Sequence, residues 1–170
     1  MIPIENVLIG LHIILMNLSL LSLAGEWYIT YKSMGVVGDC NIYPKGSFGL
    51  YETICGLSAS DFIKIHPSKS DAFIDVLDFV KIAMSVNYGI ACFGFLSWWI
   101  NPHSNIRHVL LSFSNIVIIL TCVIMFQLGL GKATVINENI EFAYSYYTSI
   151  ITCGFAIGVL LTHVKRLLTV

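Results

Sequence analysis

The chain has 170 residues, of which 56% are hydrophobic and 11% are charged, and its mean hydropathy is +0.81. Since average globular domains carry about 25% charged residues, this composition excludes an ordinary water-soluble fold and predicts a membrane protein. The formal net charge is −1 and the sequence has no basic cluster, which argues against nucleic-acid binding.

Four apolar stretches predict four transmembrane helices. They cover residues 7–24, 80–100, 109–129 and 144–163. Each is close to the roughly 20 residues that cross about 30 Å of hydrocarbon as a helix. We expect the first stretch to be retained rather than cleaved as a signal peptide, because Glu5 is the sole charge before it and no basic segment precedes it. Residues 1–170 are predicted to form one four-helix domain.

The distribution of basic residues predicts the orientation in the membrane. Arg107 lies in the short segment between the second and third helices, and Lys165 and Arg166 follow the fourth, so these cations share the side of both termini. The short segment on the opposite side carries Lys132 together with two glutamates. By the positive-inside rule we expect a multi-pass plasma-membrane protein whose N- and C-termini are cytoplasmic.

This topology puts residues 25–79 outside the cell as one long segment and residues 130–143 as a short second one. Residues 27–32 alternate and are rich in aromatic and β-branched side chains, which is typical of a strand, and residues 47–54 are a second candidate strand. A turn pattern lies between them at 43–46. The predicted fold class is a membrane all-α four-helix bundle with a small extracellular antiparallel β-sheet.

The cysteines divide into two groups. Those in the predicted helices are Cys92, Cys122 and Cys153. There, cysteine usually packs as a small apolar side chain. Cys40 and Cys55 share the oxidising compartment and are predicted to form a disulfide, which would close a loop of about 16 residues and contribute about 3 kcal/mol. A tight hairpin at 43–46 would hold these two about 20 Å apart, so we favour the bridge with a wider loop.

The stretch SFGLYETIC at residues 47–55, together with an earlier tryptophan, resembles a known family. The residues that contribute to it are Trp27, Gly49, Leu50, Tyr51 and Cys55. An early tryptophan, then Gly-Leu-Trp, then two cysteines is the pattern of the claudin superfamily, which this chain resembles. That superfamily includes claudins, the peripheral myelin protein, stargazin-type subunits and lipoma HMGIC fusion partner-like tetraspans. Here Tyr51 replaces the family's second tryptophan, and Cys55 matches the first of the two cysteines. The family's second cysteine follows the first by about ten residues, whereas the expected partner in this chain, Cys40, comes before the Gly-Leu-Tyr run.

The resemblance implies a structural role for the motif and a function in recognition. Trp27 and the Gly-Leu-Tyr run are expected to anchor the sheet where it meets the helix ends. The favoured function is that of an auxiliary subunit which modulates the gating or trafficking of an ion channel or receptor, because the second outer segment and both tails are short. The alternative is a cell-junction or adhesion protein that forms a paracellular barrier or channel. The expected partners are membrane lipids and either a larger membrane protein or further copies of the chain.

An acidic stripe precedes the second apolar stretch. Asp71, Asp75 and Asp78 recur at helical spacing, with Lys81 about one turn beyond. We expect the second helix to begin early and to present this stripe outside the bilayer, as a solvated face or as a surface for a partner or for cations. A calcium site is not expected, because three aspartates on one helix face cannot supply the roughly 6–8 oxygens that this ion needs.

Gly154 and Gly158 form a GxxxG pair in the fourth helix. Two small residues at this spacing permit the close approach of a second helix. Packing inside the bundle is the favoured interpretation of this pair, and docking to another protein's helix is the alternative.

Polar residues inside the spans are candidates for function. His12 in the first helix and His163 in the fourth lie at a similar depth, as two axial ligands of a haem would, although packing or snorkelling explains each of them. No cofactor and no metal site is predicted. The chain has no HExxH, no GxSxG, no CxxC pair and no phosphate-binding loop, so we predict that it is not an enzyme.

Overall fold

The computed structural model describes residues 4–30, 35–37, 40–42, 46–49, 53–54, 57–58, 71–134 and 140–168. The helices in these ranges are α1 (Ile4–Ala24), α2 (Asp71–Ile100), α3 (Asn105–Thr134) and α4 (Tyr144–Leu168). The strands are β1 (Glu26–Thr30), β2 (Gly35–Val37), β3 (Cys40–Ile42), β4 (Gly46–Gly49), β5 (Thr53–Ile54), β6 (Leu57–Ser58) and β7 (Ile140–Phe142). The short strands thus lie between α1 and α2 and between α3 and α4.

All four helices are long and apolar enough to cross a membrane, which confirms the predicted multi-pass membrane protein. The qualifying stretches are Glu5–Ala24, Asp75–Ile100, Asn105–Gly129 and Tyr144–Leu168. α2 and α3 have 30 residues each. A helix of that length measures about 45 Å, whereas the hydrocarbon is about 30 Å thick. Both helices therefore extend beyond the hydrocarbon, which explains why their bounds are wider than those of the apolar stretches.

A short turn joins α2 to α3. The amide of His103 donates to the side-chain oxygen of Asn101 at 3.2 Å, and Pro102 between them has no amide with which to continue α2. Arg107 in the first turn of α3 donates to the carbonyls of Ser97 and Asn101, each at 3.3 Å. These carbonyls lie at the C-terminal end of α2, and that of Ser97 also accepts the amide of Asn101 at 2.9 Å. The turn makes α2 and α3 antiparallel neighbours.

The four helices form a closed ring. α1 packs against α2 and α4, and α3 packs against the same two helices from the other side. Small polar side chains bond across the interior: the hydroxyls of Ser22 and Thr152 lie 3.3 Å apart, and the Asn87 amide donates to the Ser19 hydroxyl at 3.3 Å. Lipid is as apolar as a protein core, so such inward polar contacts help to join helices in a membrane.

Apolar packing concentrates in two clusters. The buried members of the first, next to the sheet, are Trp27, Val76, Leu77, Val80, Met84, Cys122, Phe126 and Tyr146. Those of the second are Leu15, Ile116, Ile119, Cys153, Ala156 and Val159. Cys122 and Cys153 therefore pack as small apolar side chains, as predicted, while Cys92 is half-buried.

Backbone pairing joins β4, β1 and β7 into an antiparallel sheet with β1 in the middle. β7 lies directly before α4, and the amide of Ala143 donates to the carbonyl of Trp27 at 2.9 Å. The sheet is thus attached to the bundle at the end where α1 finishes and α4 begins. We call this the sheet end of the bundle. The placement of the sheet outside the cell stays a prediction.

The connection from β1 to β4 is wide. Thr30 pairs with Gly46, and between them in sequence lies the separate ladder of β2 and β3, in which Cys40 faces Val37. A tight hairpin at 43–46 does not join β1 to β4. Cys55 lies outside the described residues, so the disulfide between Cys40 and Cys55 stays a prediction.

Candidate functional site

Three helices bring a histidine to the end of the bundle opposite the sheet. His12 lies in α1, His108 in the first turn of α3, and His163 near the end of α4. All three side chains are buried, with exposed fractions of 4%, 0% and 0%. We call these three residues the histidine cluster. A buried polar cluster in a membrane bundle is a candidate functional site.

The three imidazoles are in mutual contact. Nε2 of His12 lies 3.1 Å from Nε2 of His163. One ring nitrogen from each of the three histidines lies within 4.8 Å of the other two. The rings of His108 and His163 stack, with centroids 4.9 Å apart and an interplanar angle of 16°. The arrangement directs three potential nitrogen ligands toward one small volume.

Trp98 of α2 adds an aromatic wall to the histidine cluster. The Trp98 ring centroid lies 6.1 Å from that of His12, 5.3 Å from that of His108 and 5.4 Å from that of His163. Trp98 is itself buried, with an exposed fraction of 3%. Every helix of the bundle therefore contributes one ring to this site.

Arg166 places a positive charge beside the Trp98 wall. Its guanidinium carbon lies 5.1 Å from the centroid of the Trp98 ring, within the range of a cation–π contact. Its Nη2 lies 3.3 Å from a carboxylate oxygen of Glu5 in α1. Glu5 is largely exposed, so solvent screens this ion pair and its contribution is at most about 1 kcal/mol. The pair mainly orients the guanidinium toward the edge of the bundle.

The surroundings of His108 determine its tautomer. Its Nε2 lies 3.3 Å from the carbonyl oxygen of Asn101, which can only accept, so Nε2 carries the proton and donates. The Nδ1 of His108 then holds a lone pair, and this atom is buried without a hydrogen-bond partner in the described part of the chain. Nδ1 of His163 is also buried and lacks a partner there. Such atoms are rare, since each costs about 1–3 kcal/mol, and they leave the cluster with unused bonding capacity.

A cavity of about 160 Å³ opens at the same end of the bundle. The lining residues are Glu5, Ile9, Trp98, Trp99 and Pro102. Trp98 borders both the cavity and the histidine cluster, so its indole separates the imidazoles from this opening.

The histidine cluster was only partly predictable. Similar depth in the predicted spans pairs His12 with His163, and the two rings are indeed in contact. A haem between them is excluded by the 3.1 Å separation of their nitrogens, because the macrocycle would have to lie between the rings. His108 and Trp98 were not predicted as part of a site. The sequence does show that both residues flank the short turn between α2 and α3. This turn lies at the same depth as His163.

At the sheet end, Trp27 lies in the first apolar cluster. It is fully buried, and its indole N–H donates to the carbonyl of Ser22 at 2.6 Å. Its ring meets Phe126 edge to face at a centroid distance of 5.1 Å and Tyr146 at 6.5 Å. Trp27 therefore connects β1 to three helices by named contacts: a hydrogen bond to α1 and aromatic contacts to α3 and α4.

The rest of the family-like motif has no described side chains. Gly49 ends β4, where it faces Glu26 of β1. Leu50, Tyr51 and Cys55 lie outside the described residues. The anchoring role of the Gly-Leu-Tyr run stays a prediction.

The acidic stripe lies on one continuous helix, because α2 begins at Asp71. The side chain of Asp75 is exposed and that of Asp78 is partly exposed. The side chain of Asp71 lies outside what the structure describes. The use of this stripe as a partner surface stays a prediction.

The GxxxG pair of α4 faces outward, which corrects the expectation that it packs inside the bundle. Apart from the adjacent residues and backbone of α4 itself, a β-carbon built on Gly154 or on Gly158 would meet no atom of the described residues within 4 Å. The residues of α4 that pack inward are instead Cys153, Ala156 and Val159. The spacing of the two glycines was correct for helix packing, but spacing does not determine which face of a helix points inward.

Comparison with known proteins assigns no family to this chain. It matches no protein-family model and no curated protein sequence. The claudin-like resemblance therefore rests on the sequence pattern around Trp27, Gly49 and Cys55.

Proposed function

We propose that this chain is a non-enzymatic, claudin-like tetraspan protein which acts as an auxiliary subunit of an ion channel or receptor and modulates its gating or trafficking. In this proposal the protein resides in the plasma membrane, with both termini in the cytoplasm and the sheet outside the cell. The observation that carries the proposal is the outward-facing GxxxG pair of α4, which the bundle itself does not use.

The glycine pair interrupts an apolar surface on α4. The side chains around Gly154 and Gly158 on the helix surface are Ile150, Ile151, Ile157 and Leu161, which are 42–61% exposed. The absence of side chains at the glycines leaves a shallow groove between these residues. Small residues at this spacing let two helix backbones approach closely in a bilayer, where van der Waals packing drives association. We call this surface the α4 groove and infer that it receives a transmembrane helix of the partner.

The acidic stripe supplies a second contact in this proposal. α2 extends past the hydrocarbon at the sheet end, so the exposed Asp75 and the partly exposed Asp78 stand at or beyond the membrane surface. Because α2 lies across the ring from α4, a partner seated on α4 reaches the stripe only over the sheet end of the bundle. Charge there adds selectivity and speed of association more than affinity.

We expect that replacing Gly154 and Gly158 with leucine will disrupt capture of the partner. Two leucines fill the α4 groove and hold the partner's helix at a distance. The recovered partner should fall by about tenfold, which corresponds to about 1.4 kcal/mol of binding free energy. The measurement is native co-purification of the tagged full chain from cells that express it, with mass spectrometry of the stoichiometric components.

Gly89→Leu is the matched control, because Gly89 is also an exposed glycine in the middle of a helix, and a β-carbon added to it would meet no described atom within 4 Å. This variant should capture the channel or receptor as the wild-type chain does. Equal recovery by the double leucine variant would contradict the α4 groove. Strands between neighbouring transfected cells, without a stoichiometric larger partner, would instead support the junction function.

The proposed orientation is tested by proteolysis. Protease added to intact cells should cut the chain near Pro44 and leave epitope tags at both termini uncut. Immunoblotting with and without permeabilisation shows whether the chain is cut near Pro44 and whether each terminal tag is removed. Cleavage near Pro44 that requires permeabilisation would place the sheet in the cytoplasm and overturn the orientation.

A further inference from the structure

We propose that His12, His108 and His163 bind one divalent transition-metal ion of the zinc class. The proposal is independent of the auxiliary-subunit function, since it concerns the opposite end of the bundle from the sheet. Neutral imidazole is a preferred ligand of zinc, and three histidines from separate elements form a ligand set in known types of zinc site.

The spacing of the nitrogens suits such an ion. With metal–nitrogen bonds of about 2.0–2.1 Å, two ligands of a tetrahedral zinc ion stand roughly 3.3 Å apart. Nε2 of His12 and Nε2 of His163 are 3.1 Å apart. One ring nitrogen from each of the three histidines, His108 included, lies within 4.8 Å of the other two. A small rotation of one buried ring would complete the triangle.

The hydrogen bond of His108 matches the pattern of a metal ligand. Metal-binding histidines almost always donate their other ring N–H to a carboxylate, a backbone carbonyl or a water molecule, which fixes the ring and presents the lone pair. His108 donates through Nε2 to the Asn101 carbonyl and keeps its buried Nδ1 lone pair unpartnered within the described residues.

A purely hydrogen-bonded cluster explains less of the site. A shared proton between the Nε2 atoms of His12 and His163 would account for their 3.1 Å contact. It would leave Nδ1 of His108 buried without a donor among the described residues. An ion that takes one lone pair from each ring accounts for the contact and for His108 together, and it leaves Nδ1 of His163 as the ring nitrogen still buried without a partner among the described residues.

The neighbouring charges indicate what completes the coordination. Arg166 is directed to Trp98 and Glu5, and Arg107 to the carbonyls at the end of α2. These arginines oppose a bare cation, so they favour an anionic fourth ligand such as hydroxide or chloride. Three protein ligands leave the fourth position of a tetrahedral ion open to such a group. The cavity lined by Trp98 lies at the same end of the bundle, with no histidine of the cluster in its lining.

The test is metal binding by the purified full chain. The protein is extracted in detergent, stripped with a chelator and titrated with Zn²⁺ by calorimetry, and retained zinc is counted by elemental analysis after gel filtration. We expect one zinc ion per chain. His108→Gln and His163→Gln should each weaken binding by about 100-fold or more, since loss of even an outer-shell partner typically costs 10–100-fold. His103→Gln is the matched control, because His103 is exposed in the turn at the same end.

A spectroscopic measurement keeps the test independent of variant folding. Co²⁺ bound to the wild-type chain in place of zinc should show the intense visible absorption of a tetrahedral nitrogen site, and Zn²⁺ should displace it. His103→Gln should keep this spectrum and His108→Gln should lose it. The proposal is overturned if folded wild-type protein retains no zinc, if its cobalt spectrum indicates six-coordinate cobalt, or if His103→Gln abolishes binding while His108→Gln preserves it.

Discussion

Replacing Trp27 with alanine should lower the free energy of unfolding by about 3–5 kcal/mol, the range for truncating a buried aromatic side chain. Trp27 is fully buried and is the largest side chain of the cluster at the sheet end. Its loss would leave a cavity between β1 and the helices. The carbonyl of Ser22 would also lose the 2.6 Å hydrogen bond from the indole N–H.

The effect should be visible as a fall of roughly 10 °C in the unfolding midpoint of the detergent-solubilised chain. Trp27→Phe should lie between wild type and Trp27→Ala, because it keeps an aromatic contact with Phe126 but not the hydrogen bond. Trp99→Ala is the matched control, since Trp99 is 73% exposed. An equal loss in Trp99→Ala and Trp27→Ala would show that Trp27 does not connect the sheet to the bundle.

Replacing Gly129 with alanine should destabilise the bundle by about 1–3 kcal/mol, the usual cost of overpacking. A β-carbon on Gly129 would lie 3.0 Å from Cβ and Cγ1 of Val76 and 3.1 Å from its Cγ2. The Cβ of Val76 is fixed to its backbone, and its branched side chain has little rotamer freedom. The clash can therefore be relieved only by moving α2 away from α3.

Gly154→Ala makes the same chemical change at an outward-facing position. Apart from the adjacent residues and backbone of α4 itself, no atom of the described residues lies within 4 Å of that β-carbon position. Alanine is the better helix former by roughly 1 kcal/mol, so this variant should be as stable as wild type or slightly more stable. Thermal unfolding of both variants in the same detergent measures the difference. A gain in stability for Gly129→Ala would contradict the close packing of α2 on α3.

The sequence predicts where the helices lie, but it does not predict which face of each helix points into the bundle. A run of about 20 apolar residues is enough to predict a membrane span. The inward face is harder to predict, because lipid and bundle interior are similarly apolar and the helix has no strongly polar outer side. This is why the spacing of Gly154 and Gly158 was recognised but their outward direction was not.

The histidine cluster shows the same limit. The depth of His12 and His163 follows from counting residues along each span. That His108 and Trp98 meet them depends on the rotation of α2 and α3 about their axes, which is set by side-chain packing and not by hydropathy. The turn at Asn101 and Pro102 was readable as a short connection, but its role in orienting His108 through a backbone carbonyl was not.

The contact between the first and last helices has a consequence for biosynthesis. His12 and Ser22 on α1 meet His163 and Thr152 on α4, and His12 and His163 are separated by 151 positions. At about 5–20 residues per second, a ribosome needs on the order of ten seconds to make that intervening length. During this interval Ser19 of α1 can pair with Asn87 of α2, but His12 lacks the ring of His163. The contact between His12 and His163 is therefore completed only after the last helix has been made.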